Sequence, residues 1–172
     1  GRAGLKRPRA RERPFLKKLL ITIDGPAGAG KTTVSRCLAQ RLGYTYVDTG
    51  ALYRAVALAA REAGLDPGDD RGLQALCTGM DLRILPAPGG MCLVLNGRDI
   101  TAAIRSPEIS MLASAISARP VVRGCLLELQ RTLGRRKAVV FEGRDMGTVV
   151  FPDADVKFYL DAEIDVRASR RF

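Results

Sequence analysis

The 172-residue chain contains no histidine and only four cysteines. The absence of histidine excludes Ser-His-Asp and Cys-His catalysis as well as any His-ligated metal site. The cysteines lie far apart in the sequence, which argues against a zinc site and a disulfide framework and indicates free thiols in a reducing compartment. No run of 18 apolar residues and no signal-peptide pattern is present, so the sequence predicts a cytoplasmic protein without a membrane span.

Acidic residues are scarce at the start of the chain. Residues 1–18 contain eight basic residues and one acidic residue, a charge of +7 out of a total of +10, so the remainder carries only +3. Two prolines and the lack of hydrophobic periodicity predict that residues 1–18 are a basic, disordered and solvated extension. A nucleic-acid-binding arm is the alternative interpretation of this segment.

Short apolar runs alternate with helical patterns along the rest of the chain. The runs KLLITIDG, YTYVDTG, KAVVFEGRD and DVKFYLDA predict four buried strands. A helix is predicted from Thr32 to Gly43, with Val34, Leu38 and Leu42 on its apolar face. Strands that alternate with helices predict an α/β fold, a parallel sheet with helices on both faces.

A different pattern interrupts this alternation. The segments MDLRIL, MCLVLN and RDIT have a period of two and are separated by PAPGG and an Asn96-Gly97 turn, which predicts a small antiparallel insert. We expect a core at residues 19–172 with an insert at about residues 65–118. The chain ends at Phe172 inside a predicted helix, after only four parallel strands, so we expect the last strand of the domain to be missing.

A glycine-rich loop follows the first predicted strand. Its sequence, GPAGAGKT from Gly25 to Thr32, matches the phosphate-loop pattern G-x-x-x-x-G-K-T and leads into a predicted helix. In such a loop the backbone N–H groups bind phosphate, Lys31 reaches the β- and γ-phosphates, and the Thr32 hydroxyl ligates Mg²⁺. The predicted ATP-binding residues are Gly25, Pro26, Ala27, Gly28, Ala29, Gly30, Lys31, Thr32 and Thr33.

The rest of the chain favours one class of phosphate-loop protein. A GTPase is expected to carry N-K-x-D, but the only asparagine is Asn96, which glycine follows. A motor ATPase needs an apolar strand that ends in a carboxylate and usually has a longer chain. A small-molecule kinase needs arginines for an anionic acceptor, and Arg54 and Arg144 follow the ends of two predicted strands, with Arg123 as a third candidate.

Three segments, ITIDGPAGAGKTT, VDTGALYRAVA and FEGRDMGTVVFPDADVKFYLDA, resemble the bacterial-type cytidylate kinase family. The resemblance covers residues 19–172 and implies the fold of a P-loop nucleoside monophosphate kinase, in which the insert belongs to the acceptor-binding region. It also implies phosphorylation of CMP and dCMP by a cytoplasmic monomer, with ATP as the donor and Mg²⁺ as the metal. The partners are then small molecules, not membranes or nucleic acid.

The resemblance further implies roles for single residues. Arg54 and Arg144 hold the acceptor phosphate and are catalytic together with Lys31, and Thr49 lies near the sugar. Cytosine offers an N4 amino donor that suits a carboxylate, and its N3 and O2 acceptors suit a hydroxyl and a guanidinium. The predicted CMP-binding residues are Thr49, Tyr53, Arg54, Ser114, Arg123, Arg144 and Asp145. For Asp145 a plain helix N-cap is the alternative.

Members of that family continue beyond the point where this sequence ends, into a lid segment. Arg167, Arg170 and Arg171 match the start of the lid. Because lid closure excludes water and completes a kinase site, we expect the chain as given to be weakly active or inactive. Three alternatives remain open: a P-loop kinase with UMP, AMP or shikimate as its acceptor, a non-catalytic nucleotide-binding module, and a fragment that does not fold alone.

Overall fold

The computed structural model describes residues 17–88 and 90–170. The predicted extension falls outside these residues except for its last two positions, and so does Arg171. The strands are β1 (Leu20–Asp24), β2 (Thr45–Asp48), β3 (Leu82–Ala87), β4 (Gly90–Leu95), β5 (Arg98–Asp99), β6 (Val139–Gly143) and β7 (Val156–Tyr159). The α-helices are α1 (Lys31–Leu42), α2 (Thr49–Glu62), α3 (Asp70–Gly79), α4 (Pro107–Ile116), α5 (Pro120–Gly134) and α6 (Ile164–Ser169).

Four strands form a parallel sheet in the order β2-β6-β1-β7, which confirms the predicted α/β class. β1 and β6 are the two inner strands, and their pairing aligns Asp24 with Gly143. On the far side of β6, Asp48 of β2 is in register with Glu142. The carboxyl ends of all three strands therefore meet at one edge of the sheet, where ligands bind in open α/β folds.

The face that α1 presents to the sheet differs from the prediction. Val34 is 45% exposed, and Leu38 and Leu42 are only partly buried. The buried positions of the helix are instead Lys31, Ser35 and Ala39. The prediction is wrong for Val34, whereas Leu38 and Leu42 do pack against the core formed with the parallel sheet. The most deeply buried side of the helix is shifted by about one position, because short side chains such as Ser35 and Ala39 allow the helix backbone to lie close to the strands.

The last strand, β7, is more exposed than predicted, since we expected helices to cover both faces of the sheet. β7 pairs only with β1 among the described residues, and the side chains of Phe158 and Tyr159 are 52% and 71% exposed. Periodicity cannot distinguish a buried strand from an edge strand whose apolar side chains face solvent.

The small antiparallel sheet is separate from the parallel sheet, as predicted. Its strands have the order β3-β4-β5, and Asn96 and Gly97 both have positive φ in the turn between β4 and β5. This sheet shares a hydrophobic core with four helices, and α2 connects that core to the site edge of the parallel sheet. Fully buried members of the core are Leu52, Leu73, Leu93, Ile109 and Leu126.

A π-helical turn from Met146 to Val150 was not predicted. It is held against β1 by the carboxylate of Asp24, which accepts hydrogen bonds from the backbone N–H groups of Met146 (2.9 Å) and Gly147 (2.8 Å). A Cβ at Gly147 would lie 2.8 Å from the Thr22 hydroxyl oxygen, so glycine permits this close approach. The side chain of Asp145, at the start of the turn, makes no capping hydrogen bond, and the N-cap alternative for this residue is therefore wrong.

The packing of α5 predicts opposite effects for two glycine substitutions. A Cβ at Gly134 would clash with the Phe151 ring and lie 3.1 Å from Leu20, whereas nothing lies within 4 Å of a Cβ at Gly124. We expect Gly134→Ala to lower the free energy of unfolding by about 1–3 kcal/mol through overpacking. Gly124→Ala is the matched control and is expected to raise it by about 0.5–1 kcal/mol through helix propensity. Urea denaturation measures both, and equal effects at the two positions would contradict the described packing.

Candidate active site

A cleft of about 690 Å³ opens at the carboxyl edge of the parallel sheet. Side chains from the first turns of α1 and α2, from α4 and α5, and from the segment after β6 line it. The predicted site residues in its wall are Lys31, Thr32, Thr49, Tyr53, Arg54, Ser114, Arg123, Arg144 and Asp145. The structure thus brings together every predicted catalytic and CMP-binding residue, and the remaining predicted ATP-binding residues lie beside Lys31 and Thr32 in sequence.

The phosphate loop runs from the end of β1 to the start of α1. Gly28 and Gly30 have φ values of 79° and 94°, a conformation that favours glycine. The Lys31 ammonium donates a hydrogen bond of 2.8 Å to the Pro26 carbonyl, and burial together with the nearby Arg144 guanidinium lowers its pKa. Two cations close together in a partly desolvated site favour an anion between them. An anionic ligand such as a phosphate would balance the positive charges of Lys31 and Arg144.

Two arginines of the predicted lid start lie on the outer side of this loop. Arg170 donates a hydrogen bond of 3.1 Å to the Gly28 carbonyl. A Cβ at Gly28 would lie 2.7 Å from the Arg167 carbonyl oxygen, so the α6 backbone approaches the loop closely. Arg167 and Arg170 therefore lie close enough to the phosphate loop to contact a nucleotide bound there.

Sequence reasoning missed Glu142, the buried carboxylate at the end of β6. Its Oε1 accepts a hydrogen bond of 2.8 Å from the Thr32 hydroxyl, and its Oε2 accepts one of 2.8 Å from the Tyr46 hydroxyl. Burial, with the Asp48 carboxylate as a second cause, raises the pKa of Glu142. A signal for this residue exists, since VVFEG is an apolar strand that ends in a carboxylate, but we associated that feature only with motor ATPases.

The start of α2 holds a second group of polar contacts that the sequence did not predict. Asp48 caps the helix by accepting from the Ala51 N–H at 3.2 Å, and its other oxygen pairs with Arg54 at 2.8 Å. The buried hydroxyl of Thr49 donates to the Glu142 carbonyl at 2.7 Å. Arg54 is therefore held at the cleft before any ligand binds.

The far end of the cleft contains an ion pair between Arg123 of α5 and Asp145. The pair is partly exposed, so donors and acceptors of both groups remain open to the cleft. Tyr53 lies next to this pair, and burial raises the pKa of its hydroxyl. Ser114 of α4 completes this wall. A hydroxyl, a guanidinium and a carboxylate at one end of a cleft can recognise the polar edge of a nucleobase.

Arg144 follows β6 and lines the same cleft as Lys31 and the Arg123–Asp145 ion pair. It is exposed and makes no ion pair with any residue at positions 17–88 or 90–170. Arg54 and Arg144 thus place two guanidinium groups in the same cleft as Lys31. Guanidinium groups bind phosphate oxygens through paired, charge-assisted hydrogen bonds.

Comparison with known proteins agrees with this geometry. The family model for cytidylate kinase matches residues 21–172. A cytidylate kinase from Syntrophotalea carbinolica is 54% identical over 156 residues, which are 91% of this chain and 66% of that protein. A cytidylate kinase from Geobacter sulfurreducens is 53% identical over 154 residues, which are 90% of this chain and 66% of that protein. A bifunctional pantoate ligase/cytidylate kinase from Parasynechococcus marenigrum is 47% identical over 153 residues.

The phosphate loop after the first strand of a parallel sheet, together with the separate antiparallel insert, defines the fold of a P-loop nucleoside monophosphate kinase. Within that class, this chain belongs to the cytidylate kinase family. It spans 66% of the length of the two cytidylate kinases described above.

The raised pKa of Glu142 predicts a pH-dependent effect of Glu142→Gln. Because the folded pKa lies above the unfolded value, ionisation of Glu142 costs stability, and this cost appears as the pH rises above about 4.5. We expect Glu142→Gln to have a higher free energy of unfolding than the wild type at pH 7. The difference should shrink as the pH falls towards 4.5.

Urea denaturation across this pH range measures the difference. Glu128→Gln, which removes an exposed carboxylate on α5, is the control and is expected to have little effect at any pH. A stability difference for Glu142→Gln that does not depend on pH would contradict the assigned cause.

Proposed function

We propose that this protein transfers the γ-phosphoryl group of ATP to the phosphate of CMP or dCMP. The observation that carries the proposal is one cleft that is lined by the end of the phosphate loop, by three arginine guanidinium groups and by the Asp145 carboxylate. Membership of the cytidylate kinase family supports the same acceptor. Phosphoryl transfer of this kind needs positioning and charge neutralisation, and it needs no protein nucleophile, so the lack of histidine is no obstacle.

ATP binds at residues 25–33 in this proposal. The Gly-rich backbone surrounds the phosphates, and Lys31 exchanges its bond with the Pro26 carbonyl for a phosphate oxygen. Mg²⁺ prefers oxygen ligands, and the Thr32 hydroxyl and the Glu142 carboxylate, 2.8 Å apart, fit that preference. These two residues would hold the metal, which neutralises charge on the transferred phosphoryl group.

The CMP phosphate binds between Arg54 and Arg144. Arg144 is exposed in the cleft, and Arg54 is oriented by its pair with Asp48. Together with Lys31, these guanidinium groups share the negative charge that passes from donor to acceptor. Thr49 lies at the sugar, and Tyr53 packs between the sugar and the base-binding end.

Cytosine recognition depends on Asp145 and Arg123. The Asp145 carboxylate accepts from the N4 amino group of cytosine, and Arg123 and Ser114 donate to O2 and N3. In uracil a carbonyl replaces the N4 amino group, so two hydrogen-bond acceptors, this carbonyl and the Asp145 carboxylate, would face each other with no donor between them. A polar site built in this way rejects the wrong base strongly.

We propose a monomer that acts in the cytoplasm on small molecules, with residues 19–172 as kinase core and about residues 65–118 as the acceptor-binding insert. Residues 1–18 are proposed to be solvated rather than bound to nucleic acid. No helix at the described positions is long and apolar enough to cross a membrane. Nucleic-acid binding that falls steeply with salt and disappears on removal of residues 1–18 would contradict the proposal that this segment is solvated.

A coupled ADP-release assay with Mg-ATP tests the activity. It compares this chain with a version extended by the corresponding C-terminal segment of the Syntrophotalea carbinolica relative. We expect CMP- and dCMP-dependent turnover in the extended chain, and much weaker turnover in the chain as given, because lid closure is incomplete.

UMP, AMP and shikimate serve as acceptor controls in the same assay, and circular dichroism confirms that each protein is folded. Turnover that prefers one of these acceptors, or no turnover in a folded extended chain, would contradict the proposed function.

Asp145→Asn tests the base assignment in the extended chain. The substitution removes the charge from the acceptor of the cytosine N4 amino group, and a hydrogen bond to a charged group contributes about 1.5–3 kcal/mol. We therefore expect the ratio of kcat/KM for CMP to kcat/KM for UMP to fall by roughly 10- to 100-fold.

Asp153→Asn is the matched control, because Asp153 is exposed and lies outside the cleft. It should leave the ratio unchanged. If Asp145→Asn lowers turnover with CMP and UMP by the same factor, the carboxylate does not distinguish the bases.

A further inference from the structure

Strand β4 of the small antiparallel sheet contacts β2 of the parallel sheet, and a methionine forms part of this junction. The thioether sulfur of Met91 in β4 accepts a hydrogen bond of 3.3 Å from the backbone N–H of Asp48, the last residue of β2. Two elements that are distant in sequence are thereby joined by one polar contact at the edge of the parallel sheet.

The Asp48 N–H needs a partner from outside the parallel sheet. β2 is an edge strand, and among residues 17–88 and 90–170 it pairs only with β6. The Thr45 N–H bonds to the Ala138 carbonyl on the β6 side at 2.9 Å. Because alternate N–H groups of a strand point to opposite sides, that of Asp48, three positions further on, faces away from β6. The Met91 sulfur satisfies this donor.

Asp48 passes the effect of this contact on to the site. Its carboxylate accepts from the Ala51 N–H at the start of α2 and holds the Arg54 guanidinium at 2.8 Å. The sulfur therefore fixes the backbone of the residue whose side chain orients Arg54. A cavity of about 310 Å³ beside the cleft is lined by Met91, Asp48 and Arg54, which places the sulfur at the margin of the proposed phosphate site.

The Met91 side chain has two separable properties. It is only partly buried and packs against the core of the antiparallel sheet, a role that any apolar side chain of similar size can fill. Its sulfur also accepts a hydrogen bond, although thioether sulfur is a weak acceptor. Substitutions can therefore remove one property and keep the other.

We propose that Met91 is a positioning residue for the acceptor phosphate, which acts through Asp48 on Arg54. This inference rests on the proposed function, in which Arg54 binds the phosphate of CMP. Without the sulfur, the Asp48 N–H loses its acceptor, and the end of β2 holds Arg54 less firmly. CMP then binds more weakly, because ordering the Arg54 side chain costs free energy at the moment of binding.

Two substitutions distinguish hydrogen bonding from packing at this position. Met91→Leu keeps the apolar volume and removes the acceptor, whereas Met91→Gln keeps the unbranched shape and offers a carbonyl oxygen as acceptor. We expect Met91→Leu to raise the Kd for CMP by roughly 2- to 10-fold, and Met91→Gln to stay within roughly 2-fold of the wild type. A role in packing alone predicts the reverse order, because glutamine places a polar group at a partly buried apolar contact.

Isothermal titration calorimetry of the extended chain measures these affinities. Cytidine, which lacks the phosphate, should bind equally well to the wild type and to Met91→Leu, and so should ATP. Met80→Leu is the matched control, because Met80 packs against the same core at the end of α3, outside the described lining of both cavities. It should leave the Kd for CMP unchanged.

Amide hydrogen exchange in the ligand-free 172-residue chain tests the contact itself. We expect the Asp48 amide to exchange faster in Met91→Leu than in the wild type, and at the wild-type rate in Met80→Leu. Unchanged exchange in Met91→Leu, equal CMP affinity of Met91→Leu and the wild type, or weaker binding by Met91→Gln than by Met91→Leu would overturn this inference alone. A wild-type extended chain that does not bind CMP would instead contradict the proposed function, and this inference with it.

Discussion

The buried carboxylate of Glu142 is the interaction on which the arrangement of the site depends. Its side chain accepts hydrogen bonds from Thr32 in α1 and Tyr46 in β2, and its backbone carbonyl accepts one from Thr49 in α2. One residue at the end of β6 therefore connects the end of the phosphate loop with β2 and with the start of α2, the helix that carries Tyr53 and Arg54. A carboxylate that is desolvated to this extent is costly, and the two hydroxyl donors together with nearby Lys31 offset part of that cost.

The charges around this residue make the cleft complementary to anions. Asp48 and Asp145 each hold one arginine in position, while Lys31 lies near the Arg144 guanidinium, which makes no ion pair at the described positions. The paired arginines are oriented in advance, and the two remaining cations are complementary to phosphate. Positioning and charge neutralisation are the two contributions that phosphoryl transfer requires from a protein. The geometry and the chemistry thus point to the same reaction.

Local patterns predict much of this structure, and long-range contacts account for the remainder. The strands, the meander and the helix ends each follow from a short stretch of sequence, as the Asn96-Gly97 turn illustrates. Glu142 lies 96 positions after Tyr46 and 110 positions after Thr32 in the sequence. No local sequence pattern therefore reveals that these three side chains are hydrogen-bonded to one another through the carboxylate. Val34 is exposed for a similar reason, since only the sheet determines which side of α1 is buried. The roles of the cleft residues were inferred from family resemblance, and the structure adds their proximity.

The central claim is that one cleft binds a donor nucleotide and a cytosine nucleotide at the same time. Isothermal titration calorimetry of the extended chain, with adenosine and cytidine joined through five phosphates, tests this claim most directly. We predict one site per chain and an affinity at least roughly 10-fold higher than for the matching adenosine–uridine compound. Equal affinities for the two compounds, or an affinity no higher than that for ATP alone, would contradict the account.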